Sequence, residues 1–178
     1  NRFAIYMQLE EGKKYYFRDI NFTGNSLYPD SILYKVLGIE KGDVYNNETL
    51  TSRLQIDPNG QDISSLYMDN GYLFFNIQPV EVKVEGDSID LEIRIYEGSQ
   101  AIINKVTVVG NDKTSDHVII RELRTRPGQK FSRGDIMRTT RELSQLGYFD
   151  PEQLGVVPTP NPANGTVDIE YKVVERSN

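Results

Sequence analysis

The sequence contains two copies of one pattern, and this duplication constrains the fold more than any other feature of the chain. Two pairs of residues recur at a spacing of 86: Glu11-Gly12 as Glu97-Gly98, and Gly24-Asn25 as Gly110-Asn111. The apolar positions between them also agree, for example Leu37 with Leu123. A chain that repeats in this way is expected to fold as two similar bodies.

A third pair of matching segments shows that the copies differ in length. Asn70-Gly71-Tyr72-Leu73 matches Leu146-Gly147-Tyr148-Phe149 at a spacing of 76, so the first copy is ten residues longer than the second. We place this insertion near residues 55–62. Because Pro58 and Gly60 both disfavour a helix interior, a loop is expected there.

Strands are predicted where apolar and polar residues alternate. Residues 17–23 and 103–109 alternate in this way, and each is followed by a Gly-Asn pair that permits a sharp turn. Residues 77–84 and 89–96 alternate around a hairpin turn. In the second copy we predict hairpin strands at 156–157 and 167–173, with Pro158, Pro160 and Pro162 in the loop between them.

Two helices are predicted between the first strand and the hairpin of each copy. Helix-start residues precede apolar residues spaced three and four apart at 29–37 and 114–123. Ser132 and Asp135 resemble a capping box, and the apolar run that follows ends at Gly147. Each copy is therefore predicted to be a β-α-α-β-β domain of the α+β class, a three-stranded sheet covered by two helices.

The repeat also predicts the domain boundaries. We expect one domain at residues 13–98 and a second at 99–178. Because residues 89–96 precede Glu97-Gly98, residues 3–9 are expected to be the last strand of an earlier unit, which makes residues 1–12 a strand remnant and linker. The chain is then a piece of a longer array. A short linker with small residues predicts a limited hinge at Gly98 and Ser99.

Composition and charge narrow the function. A net charge of −6 argues against nucleic acid as the main partner. One segment is nevertheless basic, with seven Lys and Arg between residues 121 and 141 against two acids. This segment is either a solvated helical face or a surface for an anionic partner or lipid. Its candidate residues are Arg121, Arg124, Arg126, Lys130 and Arg133.

The residues of several kinds of site are missing from the sequence. There is no cysteine, and His117 is the single histidine, so thiol catalysis and histidine metal clusters are excluded. The glycines form no phosphate-binding motif. Asp57, Asn59 and Asp62 resemble calcium ligands but lack the spacing of an EF-hand loop, which favours a turn over an ion site. No cofactor and no catalytic residue is expected.

These residues resemble a known family, the POTRA (polypeptide-transport-associated) repeats of BamA-type outer-membrane protein assembly factors of Gram-negative bacteria. The resemblance covers essentially the whole chain. It is carried by YFRDINFTGN at 16–25, Gly-Asn at 110–111, LGYF at 146–149 and VDIEYKVVER at 167–176. The last of these looks like the end of the family's final repeat, which would make the two copies the barrel-proximal ones.

The resemblance implies a non-enzymatic periplasmic arm attached to the outer membrane through a C-terminal β-barrel that this sequence lacks. Its partners would be unfolded outer-membrane β-barrel proteins, accessory assembly lipoproteins and its own barrel, with no nucleic acid. The membrane would be contacted only through the parent protein. Gly24, Asn25, Gly71, Gly110, Asn111 and Gly147 are expected to be structural turn residues.

A strand edge is the expected binding site for the clients. If the last strand of a copy pairs with both other strands, the second strand along the chain lies at an edge of the sheet, where an extended peptide can add. In the first copy this edge carries Asn76, Ile77, Gln78, Val80, Val82 and Val84.

The sequence is also compatible with other functions. The same module occurs in two-partner secretion transporters and cell-division proteins. An enzyme with two carboxylates would need acids that converge in a pocket, whereas here they are spread along every segment. An RNA-binding module would need bases and aromatics on its sheet, whereas the predicted strands carry Glu81, Asp90 and Glu92.

Overall fold

The structure, a computed structural model, describes residues 13–176, and the strand predicted at residues 3–9 lies outside them. The elements of the first copy are β1 Tyr16–Thr23, α1 Asp30–Leu37, α2 Asn47–Leu54, α3 Ile63–Met68, β2 Asn76–Glu85 and β3 Ser88–Tyr96. Those of the second are β4 Ile102–Val109, α4 Asp116–Ile120, α5 Arg133–Gln145, β5 Gly155–Asn161 and β6 Thr166–Lys172, with a 3-10 turn at Pro151–Gln153. The α+β class and the repeated unit are confirmed.

Each copy has a three-stranded sheet with the last strand in the middle. β3 runs parallel to β1 and antiparallel to β2, and β6 lies between β4 and β5 in the same way. The middle position agrees with the burial of β3, where Ile89, Leu91 and Ile93 are fully buried. Among the described residues, β2 and β5 therefore each have a strand on one side only.

The helices of each copy cover one face of its sheet and enclose its core. Leu33 and Leu37 of α1 and Leu50 and Leu54 of α2 are buried in the first copy. In the second, Ile119, Ile136 and Leu143 join the sheet residues in one apolar cluster. Contacts between residues divide the described chain into two compact units. The first consists of residues 13–66 and Phe75–Gly98, and the second of Tyr67–Phe74 and residues 99–176.

The long helix of the second copy is divided in the first copy. Residues 55–62 contain neither helix nor strand, as Pro58 and Gly60 predict. The Asp62 carboxylate accepts hydrogen bonds from the backbone N–H of Asp57 at 3.1 Å and of Ser65 at 3.0 Å. Asp57 in turn accepts from the N–H of Asn59 at 2.9 Å. These acids hold the turn and the start of α3.

One part of the sequence prediction is wrong, because Pro158 and Pro160 lie inside β5 and not in the loop after it. β5 pairs with β6 from Gly155 opposite Lys172 to Asn161 opposite Thr166. A proline has no N–H to donate, so a strand tolerates it where its nitrogen faces away from the neighbouring strand. An edge strand provides such positions, and β5 is one.

Candidate functional site at the edge of the first sheet

The six residues predicted to bind clients all lie on β2: Asn76, Ile77, Gln78, Val80, Val82 and Val84. Their side chains do not share one environment. Ile77 is buried in the core, whereas Asn76, Gln78 and Val82 are exposed. The register of β2 against β3 shifts between Glu81 and Lys83, which leaves Val82 as an extra, unpaired residue in the strand.

The backbone of β2 alternates between groups that face β3 and groups that face away from it. In an antiparallel ladder every second pair exchanges hydrogen bonds, and the pairs between them point outward. Pro79, opposite Ile93, cannot donate and so belongs to the outward set, together with Ile77 and Glu81. The carbonyl of Ile77 shows this directly, because it accepts a hydrogen bond from Gln55 Nε2 at 3.0 Å.

The structure therefore leaves a shorter edge than the sequence predicts. Gln55, the residue that follows α2, occupies the outward carbonyl at Ile77. The remaining outward groups are the N–H of Ile77, the carbonyl of Pro79, the N–H and carbonyl of Glu81, and the N–H and carbonyl of Val84 beyond the register shift. An added strand would pair mainly with residues 79–84.

Glu81 is a buried carboxylate in the middle of this edge. Its side chain is 1% exposed, Oε1 lies 3.5 Å from the Tyr45 hydroxyl, and Oε2 has no hydrogen-bond partner. Burial raises the pKa of Glu81 to about 7. Burial also raises the pKa of Tyr45, whose ring centroid lies 4.9 Å from that of Phe17. The sequence carries a signal for this burial, because Glu81 stands at a position of an alternating strand where a core-facing apolar residue is expected.

An ion-pair cluster joins the three strands at the hairpin end of the sheet. Arg18 Nε and Nη2 donate to the two oxygens of Asp90 at 2.8 and 2.7 Å, and Nη1 donates to Glu85 at 3.1 Å. Asp90 also accepts from the N–H of Asp19 at 3.0 Å. The hydrogen bonds from Arg18 hold the pKa of Asp90 well below its usual range, at about 2. The cluster ties β1, β2 and β3 together beside the open part of the edge.

The Gly-Asn turn has the same construction in both copies. Asn25 Nδ2 donates to the carbonyl of Tyr28 at 2.9 Å and to Asp30, and Asn111 Nδ2 donates to the carbonyl of Thr114 at 3.0 Å and to Asp116. Each asparagine thus links the turn to the start of the first helix. The glycines pass so close to the middle strand that a Cβ at Gly24 or Gly110 would lie 1.9 Å from a backbone oxygen.

Two glutamates to which the sequence assigned no structural role hold the loop after this turn. Glu97 accepts from the N–H of Leu27 at 2.8 Å, and Glu175 accepts from the N–H of Thr114 at 2.6 Å. Each glutamate follows the last strand of its copy. Aligning the copies at their final strands would have revealed this repeat, because both glutamates stand in the same place there.

The other predicted turn and hinge positions are occupied by glycines of positive φ. Gly71 has a φ of 90° and Gly147 of 86°, and Gly147 follows the C-cap of α5. Gly98 has a φ of 68°. The hinge assigned to Gly98 and Ser99 stays a prediction.

The basic segment lies mostly outside the helices. Arg121, Arg124, Arg126 and Lys130 are exposed in the connection between α4 and α5, and Arg133 is the half-buried first residue of α5. Three of these arginines line a groove of about 440 Å³, and the same groove is lined by Glu122, Asp135 and Glu142. Arg124 is paired with Glu142. The positive charge of this surface is therefore partly neutralised by its own carboxylates.

A metal-binding cluster and a membrane-spanning helix are both absent from residues 13–176. Over this range no three His, Cys, Asp or Glu side chains are grouped so that they could hold a metal ion. None of the helices described is both long and apolar enough to cross a membrane. His117 is exposed on α4.

The chain matches the POTRA family, described as a surface antigen variable number repeat, at residues 15–98 and 101–176. It is 30% identical over 95% of its length to the outer membrane protein assembly factor BamA of Nitratidesulfovibrio vulgaris, and 26% identical over 98% of its length to BamA of Neisseria meningitidis serogroup B. The chain spans only 21% of the length of either relative.

Solved structures show the same fold. The chain superimposes on the crystal structure of Haemophilus ducreyi BamA lacking POTRA domains 1-3 with a TM-score of 0.68 and 22% identity, over 92% of this chain and 30% of that one. For the POTRA3-5 fragment of Haemophilus influenzae BamA the TM-score is 0.65 with 20% identity, over 93% of this chain and 68% of the fragment. With both copies matched over nearly their full length, the chain belongs to the POTRA family and consists of two POTRA repeats of the BamA type.

Proposed function

We propose that this chain is a non-enzymatic periplasmic scaffold of an outer-membrane protein assembly machinery, and that it holds unfolded clients transiently by strand addition at β2. The observation that carries the proposal is the edge of the first sheet, where outward backbone groups between Pro79 and Val84 have no strand beside them among the described residues. The relatives are assembly factors by name, which supports a client that is itself an outer-membrane protein.

The same proposal includes the position of the two repeats in the parent protein. In the parent protein they would stand next to a C-terminal outer-membrane β-barrel and dock accessory lipoproteins, with Gly98 and Ser99 as a limited hinge between them. Small-angle scattering tests the hinge, and profiles that require freely tumbling domains would contradict it. The BamA relatives favour this role over a two-partner secretion transporter or a cell-division protein.

The proposed binding should be weak. Four or five net hydrogen bonds of about 1 kcal/mol each barely exceed an association cost of about 4 kcal/mol or more. Side-chain contacts at the exposed Val82 would add little. The expected dissociation constant is about 1 mM or weaker, which suits a client that has to be passed on.

Titrating the chain with a peptide that copies one strand of an outer-membrane β-barrel tests strand addition. We expect backbone amide shifts to change at residues 80–85, with smaller changes near Ile77, whose carbonyl Gln55 already occupies. Val84→Pro should weaken binding because it removes an outward donor without removing a bond to β3. Gln78→Ala, which changes only an exposed side chain, is the matched control.

Shift changes confined to the helices, with none on β2, would contradict strand addition. Equal binding by the Val84→Pro and Gln78→Ala variants would do the same.

We also propose the basic segment of the second copy as a docking surface for an acidic accessory protein. Exposed ion pairs contribute about 0–1 kcal/mol each, so one substitution should change little. Reversing Arg121, Arg124 and Arg126 to Glu in the full-length protein should at least halve the recovery of accessory proteins, and salt should have the same effect on the unchanged protein.

The control reverses three exposed bases of the first copy, Lys13, Lys35 and Lys41. Unchanged partner recovery and unchanged outer-membrane protein levels in a folded variant would leave these arginines as a solvated surface. Loss of recovery in both triple variants would point to a general effect of net charge.

A further inference from the structure

The two sheets expose equivalent edges, but those edges do not offer the same hydrogen-bonding groups. β2 in the first copy and β5 in the second each pair with the middle strand of their sheet on one side. β5 is exposed from Val157 to Asn161, and no other described strand lies beside it. By topology alone, an extended peptide would be expected to add to either edge.

Two prolines remove N–H donors from the outward-facing backbone groups of β5. Pro158 and Pro160 are two residues apart, opposite Ile169 and Val167, so they belong to the same set of the antiparallel ladder. Because neither can donate to β6, both nitrogens face away from it, and Val156 belongs to the same outward set. A proline ring carbon then stands at each position where an incoming strand would place its carbonyl oxygen.

β2 retains donors at the equivalent positions. Its outward set contains one proline, Pro79, which lies between the N–H groups of Ile77 and Glu81. Val84, beyond the register shift, provides a further outward N–H group. Gln55 occupies only the carbonyl of Ile77 and leaves the N–H of that residue in place. A peptide on β2 can thus form bonds in both directions, whereas on β5 its carbonyls would meet two pyrrolidine rings.

We propose that Pro158 and Pro160 prevent strand addition at the β5 edge, so that an extended client peptide binds to β2 of the first copy and not to β5 of the second. This inference rests on the proposed strand addition at β2. The two prolines exclude the peptide because they offer it no N–H donors and because their rings occupy the positions of its carbonyl oxygens. The same arrangement protects an exposed edge from pairing with other chains.

The test compares the unchanged chain with the double variant Pro158→Thr, Pro160→Thr. Threonine fits a strand and restores both outward donors. Pro162→Thr is the matched control, because Pro162 lies beyond β5 in the turn. The probe is a peptide copying one strand of an outer-membrane β-barrel, and the readout is the amide shift of Val156, Val157, Thr159 and Asn161 against that of residues 80–85.

We expect the unchanged chain and the Pro162→Thr variant to respond on β2 alone. The double variant should gain binding on β5, at least about tenfold tighter than the unchanged chain shows there. Binding of the unchanged chain on β5 with the affinity of β2 would overturn the inference, and so would a folded double variant with no gain. If the double variant does not fold, the single Pro160→Thr variant replaces it, with a smaller gain expected and no gain overturning the inference.

The outcomes separate this inference from the proposed function. A gain on β5 in the double variant, without any response of β2 in the unchanged chain, would support closure by the prolines and contradict client binding by the first copy. A response on β2 and an equal response on unchanged β5 would support the proposed function and overturn closure.

Discussion

Replacing Gly24 or Gly110 by alanine is expected to destabilise the copy that carries it by about 4 kcal/mol or more. At Gly24 a Cβ would lie 1.9 Å from the carbonyl oxygen of Ile95, and at Gly110 it would lie 1.9 Å from that of Val173. These atoms belong to the backbone at the end of the middle strand and cannot rotate away. The glycines also have φ values of 85° and 96°, which alanine disfavours.

Gly42 and Gly128 provide controls that separate the two causes. They occupy equivalent places in the two copies, have φ values of 96° and 90°, and would have no atom within 4 Å of an added Cβ. Alanine there should cost only the conformational penalty of about 1–2 kcal/mol. Urea unfolding followed through the amide signals of each copy measures both effects. Equal losses at all four positions would show that close approach to the middle strand is unimportant.

The second large effect is a loss of stability in the first copy as pH rises, caused by Glu81. Its pKa is about 7 in the folded chain against an ordinary value of 4.5. Below pH 4.5 the carboxyl is protonated in both states, and folding carries no charge penalty from it. Between pH 4.5 and 7 the unfolded chain releases this proton while the folded chain retains it, so the free energy of unfolding falls. Above pH 7 the loss is complete, at about 1–3 kcal/mol.

Glu81→Gln should remove this dependence and make the first copy more stable than the unchanged chain at pH 8. The free energy of unfolding of both proteins, measured at pH 4.5, 6 and 8, tests the sign. Glu85→Gln is the control, because Glu85 lies on the same strand but is exposed and paired with Arg18 and Lys83. That variant should gain no stability at pH 8. Parallel pH profiles for Glu81→Gln and the unchanged chain would contradict the prediction.

The proposed strand addition at β2 and the proposed closure of β5 would give the two repeats different tasks within one fold. The first copy offers donors and acceptors along residues 79–84, and Gln55, from the region of the predicted insertion, sets where that edge begins. The second copy offers an edge without donors at Pro158 and Pro160, together with an exposed basic segment. A sequence comparison of the repeats shows their common framework, and the residues behind the proposed difference in function lie outside it.

The sequence by itself determined the features that depend on neighbouring residues. Alternation predicted β1 and β3, Ser132 predicted the start of α5, and Pro58 predicted the interruption between α2 and α3. These signals are local, because the side-chain period of a strand, a cap and a helix breaker act within a few residues. The duplication then extended each local prediction to the other copy.

Only the tertiary structure decided the features that depend on partners far along the chain. Glu81 is buried, and its Oε1 lies 3.5 Å from the hydroxyl of Tyr45, which is 36 residues earlier in the chain. The edge of β2 is shortened because Gln55 reaches the carbonyl of Ile77, and Glu97 holds a loop 70 residues earlier in the chain. Pro158 and Pro160 read as loop residues by local propensity. Their place in a strand follows from the position of β5 at an edge, where a missing N–H breaks no bond in the sheet.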